Sequence, residues 1–262
     1  MRILFSFLLL VGVYSTFSVP VQAGEKVGVI LMHGKWGTTK QKSPVVVLGK
    51  SLSSSGFVVV TPEMPWSRTR LYDSDYEETM AEIDKAVAKL KSKGATKIVV
   101  GGHSMGANAA IGYGARRDGL AAVLAIAPGH VPESSDWKGK FAANVQSAKK
   151  NIDAGKGETK IKFTDINQGK KKTLNIPSRV YWSWFAPDGP SPMQLNVKKL
   201  NPNAALFWVT GSKDGLHKRS GKSYAYDRAQ KNGKSAYVVV NSGHGDAPQK
   251  GKSDIIKLLK SL

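Results

Sequence analysis

The stretch Lys97–Ala110 constrains this chain more than any other. It opens as a β-branched run, Ile98-Val99-Val100, with the composition of a buried strand. It closes in the small residues Ala107, Ala109 and Ala110, which suit a helix packed close against a sheet. Between them lies Gly102-His103-Ser104-Met105-Gly106, a G-x-S-x-G pattern. Such a pattern turns a strand into a helix within about one residue, so the central serine takes a strained backbone conformation. Gly102 and Gly106 remove the Cβ atoms that would collide across the turn. Ser104 is then presented above a sheet, beside a helix N-terminus whose N–H groups are free to meet a developing negative charge.

The flanking sequence predicts the sheet. Val27–Met32, Phe57–Thr61, Ile98–Gly101, Ala121–Ile126, Ala204–Thr210 and Ala236–Val240 read as buried strands. Helices are expected over 44–55, 76–93, 105–115, 224–231 and 254–262. The helix at 76–93 is the clearest, because Met80, Ile83, Ala86, Val87 and Leu90 recur at three and four residues. Apolar strands alternating with helices imply a mostly parallel sheet covered on both faces, an α/β fold. Ligands of such sheets bind beyond the carboxyl ends of the strands.

That rule directs attention to loops after strands. Five histidines are present, His33, His103, His130, His217 and His244. His244 lies in a Gly-flanked loop beyond the last strand, where a general base can reach the elbow; His103 adjoins the serine and points away from it. Asp214 follows the preceding strand in Gly211-Ser212-Lys213-Asp214-Gly215. It is the candidate acid to orient the base, with Asp188 and Asp246 as rivals. Glu63 follows a strand and reads as a solvated loop carboxylate. A serine hydroxyl needs such a base and orienting acid before it can attack a carbonyl.

The alternation breaks between 129 and 203. This Lys-rich stretch shows no clear strand–helix repeat and carries many aromatics; it reads as a cap inserted over the site. Trp182 and Trp184 are candidate aromatic walls of a substrate pocket.

At the N-terminus, Met1 and Arg2 precede an apolar core from Ile3 to Val13, and Val21-Gln22-Ala23 offers small residues for cleavage. Residues 1–23 are expected to be a secretory signal, leaving 24–262 as one domain, periplasmic or secreted. The chain has no cysteine, which excludes a thiol nucleophile, disulfides and cysteine-ligated metals. The formal net charge is +20. It favours association with anionic envelope surfaces, whereas no nucleic-acid-binding signature accompanies it.

Taken together, His33-Gly34, the Gly102–Gly106 elbow, Asp214 and His244 resemble the α/β-hydrolase superfamily, in its serine esterase, lipase and dienelactone-hydrolase-like branches. The resemblance covers most of 27–262 outside the cap. It implies an α/β-hydrolase fold of about six or seven mostly parallel strands, since the chain reaches the strand before His33 almost at once. It implies a triad of Ser104, Asp214 and His244, and an oxyanion hole made by the backbone N–H groups of Met105 and Lys35, with Trp36 as the alternative donor or a wall of the acyl pocket. The expected activity is hydrolysis of a small-molecule ester through an acyl-enzyme, without metal or organic cofactor. An acyltransferase, a peptidase or a perhydrolase on the same triad, or a non-catalytic cationic envelope-binding protein, are the alternatives.

Overall fold

The structure, a computed structural model, describes residues 24–262; the expected secretory signal at 1–23 lies outside the described residues. Six strands form one all-parallel sheet in the order β2-β1-β3-β4-β7-β8. They are β1 (Val27–Met32), β2 (Val58–Val60), β3 (Lys97–His103), β4 (Ala122–Ile126), β7 (Ala205–Gly211) and β8 (Ala236–Val240). The helices are α1 (Pro44–Ser54), α2 (Tyr76–Ser92), α3 (Met105–Gly114), α4 (Ser135–Asp153), α5 (Ser178–Phe185), α6 (Met193–Asn196), α7 (Gly215–Ser220), α8 (Ala247–Lys250) and α9 (Lys252–Lys260). A separate antiparallel pair, β5 (Lys160–Asn167) and β6 (Lys170–Pro177), lies between α4 and α5.

The period-2 geometry of a strand sends alternate side chains to opposite faces. Ile30, Met32, Ile98 and Val100 therefore enter one core with Met80, Ile83 and Leu90 of α2. Val29, Leu31 and Val99 enter a second core with Leu48 and Leu52 of α1 and Ile255 and Leu259 of α9. Both faces of the sheet are covered, which is why these strands read as continuous apolar runs. Local signals set the helix starts. Asp75 and Glu78 form a reciprocal capping box on α2, and Pro44 occupies the first turn of α1. All ten residues of α3 are buried, and its glycines allow close packing: a Cβ on Gly114 would collide with Val123 of β4, and one on Gly112 with the Tyr76 ring of α2.

Two expectations about the second half need correction. The segment between β4 and β7 is regular: α4, the β5–β6 hairpin and α5 pack together there. Lysines at 160, 162, 170, 171 and 172 obscure the strands, because the first four are exposed and Lys172 is half-buried over the Trp36 ring, while Phe163, Leu174 and Ile176 face inward. Gln168 and Gly169 both take positive φ, 49° and 79°, and reverse the hairpin in two residues. The helix expected over 224–231 is instead α7 followed by two short 3₁₀ turns, Gly221–Tyr224 and Tyr226–Arg228. Tyr224, Ala225 and Tyr226 are all buried, a run that one face of a surface helix cannot accommodate.

Candidate active site

Ser104 sits between the end of β3 and the start of α3 with φ 57° and ψ −116°, a conformation that L-residues rarely adopt. The local sequence makes the turn feasible. A Cβ on Gly102 would lie 2.6 Å from the Gly106 carbonyl carbon, and one on Gly106 would strike the backbone at Met32 and His33. Opposite the serine, Gly34 and Gly129 leave space: Cβ atoms there would come within 3.1 Å of Ser104 Cβ and 2.9 Å of Ser104 Oγ.

The structure brings Ser104, His244 and Asp214 together. His244 Nε2 is 2.9 Å from Ser104 Oγ, and His244 Nδ1 is 2.5 Å from Asp214 Oδ2. A carboxylate beside Nδ1 requires the proton on that nitrogen, which leaves the Nε2 lone pair to accept the serine O–H. Asp214 is 2% exposed and is also the N-cap of α7; its other oxygen accepts from the Leu216 and His217 amides. Burial pushes this carboxyl up, but the His244 hydrogen bond and charge, with the two amides, outweigh it and hold it below the usual aspartate range. The rivals lie elsewhere in role. Asp246 accepts from Gly243 N at 2.8 Å and so shapes the loop that carries the base, and Asp188 is exposed. Glu63 is tied to Ser67 and Thr69 in its own loop.

The remaining histidines are structural. His103 Nε2 donates to the His244 carbonyl at 2.8 Å, fixing the base loop from below; burial and the neighbouring His244 push its pKa down to about 4. His33 accepts from Met64 N through Nε2 and donates to Gly34 O through Nδ1, while its own carbonyl accepts from Trp66 Nε1. These bonds lock the loop after β1. His130 is buried and donates to Trp184 O. His217 meets the Tyr237 hydroxyl at 2.9 Å.

The loop after β1 supplies the other half of the site. Among the described residues, the amides of Lys35 and Met105 have no acceptor within the chain, while Lys35, Ser104 and Met105 share one cavity. The Trp36 amide is not free to serve: it donates to Trp66 O at 2.9 Å. The Lys35 ammonium is 5% exposed and 2.6 Å from Asp165, a fully buried carboxylate on β5. Asp165 also accepts from Trp36 Nε1, Tyr72 Oη and its neighbour's amide, Ile166 N. Desolvation lowers the Lys35 pKa, and Asp165 opposes that shift. Asn167 at the hairpin end donates to the Lys35 carbonyl. Nothing in the sequence singled out Asp165; the one available signal was an acidic residue at an inward position of a strand that the surrounding lysines disguised.

Two compartments meet at Ser104. The larger, about 500 Å³, runs past Gly129, Val131, Trp137, Ile166 and Leu216. The smaller, about 180 Å³, lies toward Ser43, Pro44, Val45 and Gly245. Lys35, Ser104, Asn167, Gln168 and His244 border both. The expected aromatic walls need correction, since Trp36, Trp182 and Trp184 line neither compartment. The Trp36 indole is bound to Asp165 and covered by Lys172. Trp184 is fully buried among Trp66, Tyr72 and Tyr76, and Trp182 packs partly buried against the same core. The wall aromatic is Trp137 of α4. No group of three or more His, Asp or Glu side chains among the described residues is arranged to hold a metal ion.

The sequence matches the Alpha/beta hydrolase family over residues 29–250, and the chain belongs to that family. Solved structures share its fold at low identity. One, described with LipS and LipT, two metagenome-derived lipolytic enzymes, has 16% identity and a TM-score of 0.61, covering 91% of this chain and 95% of that one. Est1E from Butyrivibrio proteoclasticus, bound to ferulic acid, has 16% identity and a TM-score of 0.55 over 92% and 90%. The Paleococcus ferrophilus monoacylglycerol lipase has 16% identity and a TM-score of 0.59 over 89% and 94%. No curated protein matches the sequence.

Proposed function

We propose that the protein is a serine hydrolase that cleaves a carboxylic ester through an acyl-enzyme on Ser104. One observation carries this reading: the continuous hydrogen-bonded chain from Ser104 Oγ through His244 to buried Asp214. The lipolytic and lipase activities named for two of the fold's neighbours agree with it.

The steps follow from the geometry. His244 Nε2 takes the Ser104 proton as Oγ attacks the ester carbonyl. The oxyanion of the tetrahedral intermediate is placed to accept from the Met105 and Lys35 amides, which need no reorganisation to receive it. As the C–O bond breaks, imidazolium gives its proton to the leaving alcohol. Water then enters, loses a proton to His244 and attacks the acyl carbon; collapse returns the proton to Ser104 and releases the acid. Throughout, Asp214 holds the His244 tautomer and stabilises its cation. The α4 to α5 segment acts as a cap, because its hairpin end and Trp137 complete the walls above Ser104. We also read residues 1–23 as an export signal, which N-terminal sequencing of the secreted or periplasmic product tests.

The test of the hydrolase reading is labelling by a fluorophosphonate probe. The wild type is expected to label at Ser104, whereas Ser104→Ala and His244→Ala are not. A folded wild type that stays unlabelled overturns the reading.

A further inference from the structure

One wall of the larger compartment carries chemistry that the hydrolytic steps do not use. Helix α7 starts at Gly215, directly after Asp214, so its position is fixed by the same residue that orients the base. Gly215, Leu216 and Arg219 of this helix line the compartment with Ser104 and His244. The Arg219 side chain runs back along the helix toward its first turn: Nη1 lies 3.2 Å from the point where a Cβ on Gly215 would stand. A glycine at 215 therefore leaves the room that the guanidinium occupies.

The charge of Arg219 is unmatched. No carboxylate among the described residues lies within ion-pair distance of it. The other charged residues lining the compartment are committed. Lys35 is held by Asp165, and Asp214 by His244 and two backbone amides. Arginine stays protonated at any working pH, and its planar fork matches a carboxylate or a phosphate. Val131, Trp137, Ile166 and Leu216 supply apolar lining, and Asn167 and Gln168 at the hairpin end add neutral polar groups. The compartment thus combines apolar and neutral polar lining with one cation, Arg219, that no carboxylate among the described residues pairs. The net charge of +20 adds a field of the same sign.

We propose that Arg219 is a specificity residue that binds an anionic group, carboxylate or phosphate, on the ester's larger portion. That portion fills the 500 Å³ compartment, and the 180 Å³ compartment takes the smaller portion on the other side of the scissile bond. This inference rests on the hydrolase reading and names its substrate class.

The experiment compares kcat/KM on matched ester pairs for the wild type, Arg219→Gln and Lys218→Gln. For the acyl side, 4-nitrophenyl hydrogen adipate is set against 4-nitrophenyl hexanoate. For the alcohol side, 4-acetoxybenzoate and 4-acetoxyphenyl phosphate are set against phenyl acetate, which also separates carboxylate from phosphate. The wild type is expected to prefer the anionic member of at least one pair. Arg219→Gln should reduce that anionic-to-neutral ratio by about tenfold or more, as loss of a hydrogen bond to a charged group does, and Lys218→Gln should leave the ratio in place. A wild type without anionic preference, a ratio unchanged in Arg219→Gln, or an equal fall in Lys218→Gln overturns the proposal. Calorimetric titration of all three proteins with adipate and phenyl phosphate reads the anion site independently of turnover. Binding lost only in Arg219→Gln supports the anion site at Arg219 even if no ester is cleaved and the hydrolase reading fails; absent or equal binding in a protein that turns over no ester overturns it.

Discussion

The Lys35 ammonium lies 2.6 Å from the Asp165 carboxylate, and both side chains are almost wholly withdrawn from solvent. This pair joins the loop after β1, which holds a candidate oxyanion donor, to the inserted hairpin 130 positions further along the chain. Removing one partner leaves the other charge buried and unmatched, which costs about 3–5 kcal/mol. Asp165→Leu should therefore lower unfolding stability by that order in urea titrations. The double variant Lys35→Met/Asp165→Leu should recover much of the loss, because apolar replacements of both partners remove the uncompensated charge. Additive losses in the double-mutant cycle would show that the two residues act separately.

Asp214 has two tasks, orienting His244 and capping α7. Asn at this position can still accept from the α7 amides, but it also allows the His244 ring to hold the wrong tautomer. Asp214→Asn is expected to reduce kcat by about 10⁴-fold while leaving the fold intact. Circular dichroism and ester turnover on the same preparation check both halves. A loss below tenfold would remove Asp214 from the triad in favour of another acid.

The sheet, the elbow and the triad candidates were legible because each follows from local chemistry: β-branched runs, two glycines flanking Ser104, and polar residues just after strands. The site's walls were not. Trp184 and Trp137 are both tryptophans of the same inserted segment, and composition alone cannot tell that one is fully buried against Tyr76 while the other lines the cavity. Asp165 was hidden for a related reason. Its role depends on four donors, and Lys35, Trp36 and Tyr72 come from loops far away in sequence. Long-range partners decide such positions, and no spacing rule encodes them.

Gly129 tests how closely the site is fitted to the attacking oxygen. Its backbone does not occupy the positive-φ region, so alanine is compatible with the local conformation. The added Cβ, however, would stand 2.9 Å from Ser104 Oγ and 3.5 Å from His244 Cε1. Gly129→Ala should displace the serine hydroxyl and cut kcat/KM by about 10²-fold, the usual consequence of a shift of roughly 1 Å at the reacting centre. Thermal unfolding should change little beside that loss. Turnover within threefold of the wild type would mean that the hydroxyl does not attack from this position.

The buried histidines give stability a definite pH dependence. Burial lowers the pKa of His33, His103 and His130, and His103 reaches about 4 from an ordinary 6.5. Between those two values the unfolded chain binds the proton more readily than the folded one, so stability is complete above pH 6.5 and falls as the pH drops toward 4. For His103 alone the loss is on the order of 3 kcal/mol at the acid end of that window. Glu133 acts in the opposite sense, because burial raises its pKa and acidification relieves that cost. Comparison with His103→Gln isolates one contribution, since glutamine can keep the donor to the His244 carbonyl without a titrating ring. Urea unfolding at pH 7 and pH 5 should show a larger drop for the wild type than for His103→Gln. Equal drops would mean that His103 can take up a proton in the folded protein at no cost, through an opening that lets water reach its ring.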